Sequence, residues 1–494
     1  MSQYGEGTKT QNIYVEKPED KKEISVRLSL FYDGTLNNRV NVKEKEKLSK
    51  IYYEFREEGE PTSYDNGKTN IAIMEPHCED TSDGYDIVLK EYIEGQGTFN
   101  LEGDELMGYA MGGFDSGVAS RAEQGITRAV GLIAKNVKSN KMAIKKLTID
   151  VFGFSRGSAT ARYAIYLVLK GSSHQGASDL GQGYTQDVRP IIESVANTGI
   201  EIQESAVEIC FAGLYDTVLS VYGSQNLPFK WVGNILKQKA VKHAKKVLHL
   251  AASDEHRHDF PLHNIRSAGG KGEEYYLPGV HSDVGGSYNQ ASELAIEAEP
   301  DPNKKVYMQT TSENKVILKN TNRKILENDM QDLIKLGWYI NDQNKKEISI
   351  SAKKVRKFRN GKVPYYTNKY ELKIDRDGIC SAYCNIPLKI MAKYARDKDV
   401  KLNFNLKLDD RAEVILKPHS DLTTLEGKIK EYMNEKKGNG KSKAEDWVGE
   451  NQELNNYIIK NKIRHNHFNF SSKPGAGYSP RIKNYKRVRN IYDA

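Results

Sequence analysis

A serine lies between two glycines at residues 153–157, which read GFSRG. This G-x-S-x-G spacing is typical of a nucleophilic serine at a sharp turn between a strand and a helix. Apolar and polar residues alternate before it, from Leu147 to Val151, and a helix-forming run follows from Ser158 to Tyr163. The glycines allow a strained turn, and a helix start directs backbone N–H groups at an anion. We therefore predict that Ser155 is a nucleophile; the alternative is an ordinary glycine–serine turn.

Two further residues with suitable chemistry follow predicted strands. Asp216 comes directly after the apolar run 206–215, and His281 follows the shorter run 274–280. With Ser155 they occur in the order Ser, Asp, His, which is the order of the α/β-hydrolases. In such a triad the histidine takes the serine proton, and the aspartate orients and stabilises the imidazole. We predict these three residues as the catalytic set, against the alternatives of a capping aspartate and a loop histidine.

Two other aspartates compete with Asp216 for the acid position. Asp283 lies two residues beyond the predicted base, and Asp254 lies in the sequence SDEHR at 253–257. Both stay open as alternatives, because chain order and strand ends favour Asp216 without excluding either of them.

Stabilisation of an oxyanion requires N–H donors near the nucleophile. Arg156, the residue after the serine, offers one backbone N–H, and a loop after an earlier strand offers the second. The sequence DGT at 33–35 is our candidate loop, with Gly34 and Thr35 as donors, because a glycine lets the backbone approach closely. A rival interpretation assigns Asp33, Asp283 and other acids to a divalent metal or a phosphate. No second strand-end acid motif completes such a site.

Strands and helices alternate along the first three hundred residues, which predicts an α/β-hydrolase-like, mainly parallel sheet flanked by helices. The predicted site residues all follow strand ends, so they share the carboxyl edge of this sheet. We expect a flexible lead-in at 1–23, a catalytic domain at 24–299 and an accessory region of mixed α+β structure at 300–494, partly packed on the catalytic domain. Residues 221–272 are predicted to form an excursion that acts as a lid.

The composition excludes several function classes. A net charge of +8 over 494 residues is a mild basic excess, and no recognised nucleic-acid-binding fold accompanies it, so we expect no nucleic-acid partner. The basic stretch at 353–362 is typical of a solvated strand face. No apolar run is long enough to span a bilayer, and the first residues lack the basic and apolar segments of a secretory signal.

Four cysteines occur, too few and too scattered for a disulfide framework. Cys380 and Cys384 are close together, but no second Cys/His pair lies near them in the sequence to complete a zinc site. We interpret them as small buried apolar residues, and we expect neither a metal nor a cofactor.

Five segments together resemble a bacterial family of predicted serine hydrolases that includes the first family of type VI secretion phospholipase effectors. The resemblance covers residues 25–290 and is weakest in 300–494. The segments are FYDGTLNN (31–38), GFSRGSATAR (153–162), GLYDTV (213–218), SDEHR (253–257) and PGVHSDVGGSY (278–288).

This resemblance implies an α/β-hydrolase fold with Ser155, Asp216 and His281 as the triad, and an A-type phospholipase activity that releases fatty acid from glycerophospholipids. It also implies a protein made in the cytoplasm without a signal peptide and injected by a type VI system into the periplasm or membrane of a target cell. A phospholipid surface, a secretion-machine carrier and an immunity protein are the implied partners. The alternatives are an esterase or thioesterase with a soluble substrate, and a non-catalytic cargo or binding protein.

An apolar segment within the predicted lid could meet lipid directly. Residues 227–232 read LPFKWV, and we expect Phe229 and Trp231 to contact the membrane surface. The alternative is that these rings pack in the core. The accessory region is also expected to contact the membrane.

Overall fold

The computed structural model describes eleven stretches of the chain, and every structural statement below concerns these residues. They are 21–56, 62–105, 117–169, 191–219, 236–289, 310–360, 363–397, 399–436, 451–474, 478–484 and 486–493.

The secondary structure changes from alternating strands and helices to a mixed pattern beyond residue 310. The strands are β1 (Lys22–Tyr32), β2 (Ile87–Ile93), β3 (Met142–Phe154), β4 (Glu201–Ile202), β5 (Val207–Tyr215), β6 (Lys246–Ala252), β7 (Leu262–His263), β8 (Gly272–Leu277), β9 (Thr310–Asn320), β10 (Ile348–Arg359), β11 (Val363–Cys380), β12 (Ile482–Lys483), β13 (Lys486–Arg487) and β14 (Ile491–Tyr492). The helices are α1 (Arg39–Glu46), α2 (Lys50–Phe55), α3 (Asn70–His77), α4 (Val118–Asn136), α5 (Arg156–Leu169), α6 (Ile191–Ala196), α7 (His281–Gly285), α8 (Arg323–Lys335), α9 (Asn385–Ala395), α10 (Leu406–Leu416), α11 (Ser420–Lys436), α12 (Gln452–Lys460) and α13 (Ile463–His467).

Seven strands form one parallel sheet with β3 near its middle. The order is β2-β1-β3-β5-β6-β8, and the short β4 also pairs with β3. All of these pairings are parallel. Every residue of β3 from Leu147 to Phe154 is buried, as expected of a strand that is covered on both faces. The predicted fold, a mainly parallel sheet flanked by helices, is therefore confirmed.

Helices cover both faces of this sheet. On one face, α4 and α5 pack over alternate side chains of β1, including Leu28 and Leu30. On the other face, α3 and α9 pack around Phe31 and Phe152, whose rings stack with centroids 4.6 Å apart. Among the described residues, no helix combines the length and the apolar character needed to cross a membrane.

The region beyond residue 310 shares its core with the sheet. Strands β9 to β11 form an antiparallel sheet in the order β10-β11-β9. The buried side chains of Trp338, Ile374 and Phe468 belong to the same apolar cluster as Phe152 of the parallel sheet. The last strand, β14, pairs in parallel with β7. The predicted mixed α+β character of the C-terminal region is therefore confirmed, and its end pairs with β7 in a separate two-stranded sheet.

The predicted excursion at 221–272 is wrong over part of its length. Residues 246–252 form β6, which pairs with β5 and β8 inside the parallel sheet. The polar ring of His249 interrupts the apolar pattern in the sequence, yet this ring is buried and its Nδ1 lies 2.7 Å from Oε2 of Glu274. Because that carboxylate satisfies the ring, a buried strand can carry it. Residues 220–235 lie outside the described residues.

Two glycines bring the start of α5 directly onto the ends of β1 and β3. A Cβ atom added to Gly157 would lie 2.3 Å from the carbonyl oxygen of Tyr32 and 2.4 Å from that of Asp33. A Cβ atom added to Gly153 would lie 2.4 Å from the carbonyl oxygen of Gly157. Real Cβ atoms do not approach backbone so closely, so only glycine permits this packing. The outer glycines of the GFSRG sequence therefore set the turn that holds Ser155.

This packing predicts opposite effects for two helical glycines. Gly157→Ala should lower the free energy of unfolding by about 1–3 kcal/mol, because the new methyl group overlaps backbone. Gly131→Ala, at an exposed position of α4 with no heavy atom within 4 Å of an added Cβ, should raise it by up to about 1 kcal/mol. Urea unfolding followed by circular dichroism measures both. Equal stabilities for the two variants would contradict the close approach.

Candidate active site

Ser155 occupies a strained turn between β3 and α5. Its φ is +59°, in the left-handed region that residues with a Cβ rarely adopt. Its N–H donates to the carbonyl oxygen of Tyr215 at 3.0 Å, and its own carbonyl oxygen accepts from the N–H of Val218 at 3.4 Å. These two bonds attach the turn to the residues around Asp216. Strain of this kind persists only where the surroundings hold it, and it is concentrated at functional sites.

Asp216 and His281 form a buried pair beside this turn. Asp216 follows β5 with a φ of +39°, and its Oδ2 lies 2.5 Å from Nδ1 of His281. The imidazole is flanked by two rings, with centroids 4.6 Å away for Phe154 and 5.2 Å away for Phe260. Since Phe154 directly precedes Ser155, the ring contact places the imidazole next to the serine turn. The hydrogen bond from Nδ1 leaves Nε2 as the ring nitrogen that can take a proton.

A third residue, Arg489, holds Asp216 from the other end of the chain. Its guanidinium group donates to Oδ1 of Asp216 at 2.6 Å and to Oδ2 at 2.8 Å, and the N–H of Ala252 donates to Oδ1 at 2.8 Å. Burial alone would raise the pKa of Asp216, but the charge of Arg489 and the hydrogen bonds from His281 and Arg489 outweigh it and hold the pKa far below its usual range. Asp216 is therefore a carboxylate at every pH near neutrality.

The surroundings of His281 favour the neutral form of its imidazole. Burial lowers the pKa of His281 below its ordinary value, and this effect outweighs the opposing hydrogen bond and charge of Asp216. A neutral imidazole whose Nδ1 donates to a carboxylate can accept a proton at Nε2. The local environment therefore suits His281 to act as a general base.

The carboxylates of the two alternative acids, Asp283 and Asp254, bind groups other than the His281 imidazole. Asp283 accepts from the N–H groups of Val280 at 2.8 Å and Asn469 at 3.3 Å. Asp254 accepts from the N–H of Gly279 at 2.8 Å and binds the guanidinium group of Arg464. Burial raises the pKa of Asp283 well above its usual range, as for a carboxyl group with a structural role. Of the three aspartates, Asp216 is the one whose carboxylate contacts the imidazole.

Glu255 accepts a hydrogen bond from the backbone of His281 and so helps to position this residue. Its Oε2 accepts from the N–H of His281 at 3.3 Å and from Arg257 at 2.9 Å, and its Oε1 accepts from the hydroxyl of Ser471 at 3.2 Å. Burial alone would raise the pKa of Glu255, but the charge and hydrogen bonds of Arg257 hold it well below its usual range. The conspicuous SDEHR sequence thus supports the base, through its glutamate rather than its aspartate.

The DGT loop lies beside the start of α5. A Cβ atom added to Gly34 would lie 2.8 Å from the ring of Phe154, which shows how closely the loop approaches the serine turn. The Gly34 N–H already donates to Oδ1 of Asp33 at 2.7 Å. Burial raises the pKa of Asp33 to about 6, against hydrogen bonds from Thr69, Tyr92 and the Gly34 N–H. The loop therefore lies next to the serine turn. Because the Gly34 N–H is already engaged, the N–H of Thr35 is the remaining candidate of the two.

Sequence reasoning missed Arg489 and Glu255. Arg489 is 273 residues from Asp216 in a basic tail, so no spacing or strand-end pattern connects the two. Glu255 lies in the SDEHR sequence, in which the sequence alone favours the neighbouring Asp254 as the candidate acid. Phe229 and Trp231, the predicted lipid contacts, lie outside the described residues.

One protein-family model, the catalytic domain of type VI secretion phospholipase effectors of the Tle1-like kind, matches residues 27–301. The chain belongs to this family. The resemblance drawn from the five sequence segments is thereby confirmed. No curated protein sequence matches the chain at a significant level.

Two solved structures are similar to this member of the Tle1-like family. The structure of the Tle1 effector bound to the VgrG spike of the type VI secretion system matches with a TM-score of 0.58 and 17% identity, over 99% of each chain. That likeness concerns the fold, and it extends through the C-terminal region. An uncharacterised protein from Pseudomonas aeruginosa matches 54% of this chain and 42% of its own, with 20% identity and a TM-score of 0.32.

Removing Arg489 should destabilise the protein strongly. Arg489→Ala leaves the buried carboxylate of Asp216 without its main counter-charge, and breaking such a pair costs about 3–5 kcal/mol. Arg481→Ala, in the same tail, is the control and should change stability by less than about 1 kcal/mol. Thermal unfolding at neutral pH compares the two. Equal melting temperatures would show that Arg489 does not hold Asp216.

The pKa of His281 gives a second prediction. In a titration followed by NMR of ¹³C-labelled histidine, the His281 resonance, assigned with His281→Gln, should have its midpoint below the ordinary imidazole value of about 6.5. Asp216→Asn removes the partner that raises the pKa, so the midpoint should fall further. A midpoint above 6.5, or one unchanged by Asp216→Asn, would contradict the described environment.

Proposed function

We propose that the protein is an A-type phospholipase that hydrolyses acyl ester bonds of glycerophospholipids through Ser155, His281 and Asp216. Membership in the Tle1-like phospholipase effector family supports the lipid substrate. The contact between Asp216 and His281 at the sheet edge that bears the Ser155 turn supports the triad most directly. No step of this reaction requires a metal or a cofactor.

In the first half of the proposed reaction, the Ser155 hydroxyl attacks the carbonyl carbon of an acyl ester. His281 takes the hydroxyl proton at Nε2, and the negative charge of Asp216 stabilises the imidazolium that forms. The oxyanion of the tetrahedral intermediate accepts from the backbone N–H groups of Arg156 and of Thr35 or Gly34, and the loss of one such donor typically costs about 3–4 kcal/mol. The intermediate then collapses, and His281 returns the proton to the departing lysophospholipid alcohol.

In the second half, water releases the fatty acid. His281 takes a proton from the water, whose oxygen attacks the acyl carbon, and Ser155 regains its proton as the leaving group. The neutral resting state of His281 suits both proton transfers at neutral pH, because the base must be unprotonated at the start of each half.

Delivery by a type VI system is the second part of the proposal. The family to which the chain belongs is one of type VI effectors, and the structural neighbour that covers 99% of this chain was solved on a VgrG spike. We infer that a spike protein also carries this chain, that the target is the membrane of a recipient bacterium, and that the producing cell holds an immunity protein.

Replacing the nucleophile should abolish lipid hydrolysis without unfolding the protein. Ser155→Ala should lower turnover of phosphatidylethanolamine/phosphatidylglycerol vesicles by at least about 10³-fold, since the acyl-enzyme can no longer form. Ser205→Ala, at an exposed serine of the same domain, is the matched control and should retain full turnover. Mass spectrometry of the products identifies the acyl position that is cleaved.

Two results would contradict this proposal. Undiminished fatty-acid release by Ser155→Ala would exclude Ser155 as the nucleophile. Hydrolysis of a soluble short-chain ester with no release of fatty acid from vesicles would exclude the phospholipid as substrate and favour a soluble ester.

A further inference from the structure

Cys380, His419 and His467 come together at a junction of the C-terminal region, and none of them belongs to the predicted catalytic set. Cys380 ends β11, His419 directly precedes α11, and His467 ends α13. One ligand atom from each lies within 4.8 Å of those from the other two. The Sγ of Cys380 is 3.5 Å from Nε2 of His419. Cys380 and His467 are buried and His419 is half-buried, so the cluster reaches solvent on one side.

We propose that these three side chains bind a zinc ion, with a water molecule as the fourth ligand on the half-buried side of His419. One thiolate and two imidazoles are donors that Zn²⁺ accepts readily, whereas Mg²⁺ and Ca²⁺ require oxygen ligands. Tetrahedral zinc with bonds of about 2.0–2.3 Å places neighbouring ligand atoms about 3.3–3.6 Å apart. The Cys380–His419 separation already has this value. The ligand atom of His467 lies within 4.8 Å of the other two, so zinc binding requires it to move closer.

An aspartate holds His467 in the orientation that a metal ligand needs. The Nε2 of His467 lies 2.9 Å from Oδ2 of Asp421, and Nδ1 faces Cys380, 3.3 Å from its carbonyl oxygen. When Nε2–H donates to the carboxylate, Nδ1 carries a lone pair once it gives up its proton and its contact with the Cys380 carbonyl oxygen, and this lone pair can bind a metal. A ligating histidine whose second nitrogen is bound to a carboxylate is the usual arrangement around zinc. Asp421 would therefore orient one of the three proposed ligands through a hydrogen bond.

The proposed ion would connect the C-terminal elements to α7, the helix that begins at His281. Two residues after His467, the N–H of Asn469 donates to Asp283 in that helix. After Cys380, the carbonyl oxygen of Cys384 accepts from the side chain of Asn70 at 3.1 Å. Zinc at this junction would connect these C-terminal elements to the residues beside the predicted base.

The sequence concealed this cluster because its members are far apart. His419 and His467 are 39 and 87 residues from Cys380. His465 and His467 have an H-x-H spacing, but no short spacing connects His467 with Cys380 or His419. The expectation of no metal considered neighbours in the sequence alone, whereas the fold supplies neighbours in space.

Metal binding by the full-length protein tests the proposal. Wild-type protein, stripped with a chelator, should bind one equivalent of Zn²⁺, and Co²⁺ as a probe should give the near-ultraviolet absorption band of a cobalt–thiolate bond. Cys380→Ser should lose the band and the stoichiometric binding. Cys384→Ser, the matched control at a neighbouring buried cysteine, should keep both. Asp421→Asn should lower the zinc affinity by about 10–100-fold.

The same experiment can overturn the proposal. Absence of stoichiometric binding by the wild type, or a cobalt spectrum without the thiolate band, would show that the cluster is a thiol–imidazole hydrogen-bond network without metal. Equal binding by Cys380→Ser would also exclude this site. Should that variant fail to fold, His419→Ala, at the half-buried position, decides by the same two readouts. Retained stoichiometric binding by His419→Ala with an unchanged spectrum would contradict the proposal.

Discussion

A carboxylate without exposed surface has to be matched by positive charge and N–H donors, because an unpaired buried charge costs several kcal/mol. Asp216 is 0% exposed, and its donors come from three separate parts of the chain. Ala252 ends β6, His281 begins α7, and Arg489 lies five residues before the end of the chain. The surroundings of the Asp216–His281 pair are therefore built by both the sheet and the C-terminal tail.

Because Asp216 depends on Arg489 for its counter-charge, the C-terminal region is part of the candidate site. The family model ends at residue 301, yet Arg489 binds both oxygens of the predicted catalytic acid. The tail is held there by the pairing of β14 with β7, and the region before it shares a core with the sheet. A chain cut at the boundary of the family model would leave Asp216 with its charge poorly matched. We infer that the predicted catalytic domain does not form its site by itself.

Local patterns predicted the fold, which the structure confirms, and the residues of the candidate site, for physical reasons. The serine turn is local, because Gly153 and Gly157 must be glycines for α5 to meet the strand ends. Asp216 and His281 follow strands, and parallel strands bring their carboxyl ends to one edge. Contacts between distant segments left no such pattern: Arg489 and the Cys380–His419–His467 cluster depend on packing across the chain. β6 was missed because buried His249 looks polar, although Glu274 satisfies it.

Labelling with a fluorophosphonate, which reacts with activated serines, tests the central claim most directly. Peptide mapping of the wild-type protein should place the label on Ser155. Asp216→Asn should slow the labelling by a factor on the order of 10³–10⁴, because the imidazole loses the carboxylate that orients it. A label on another residue, or an unchanged rate in Asp216→Asn, would contradict the assignment of Ser155, His281 and Asp216 as one catalytic unit.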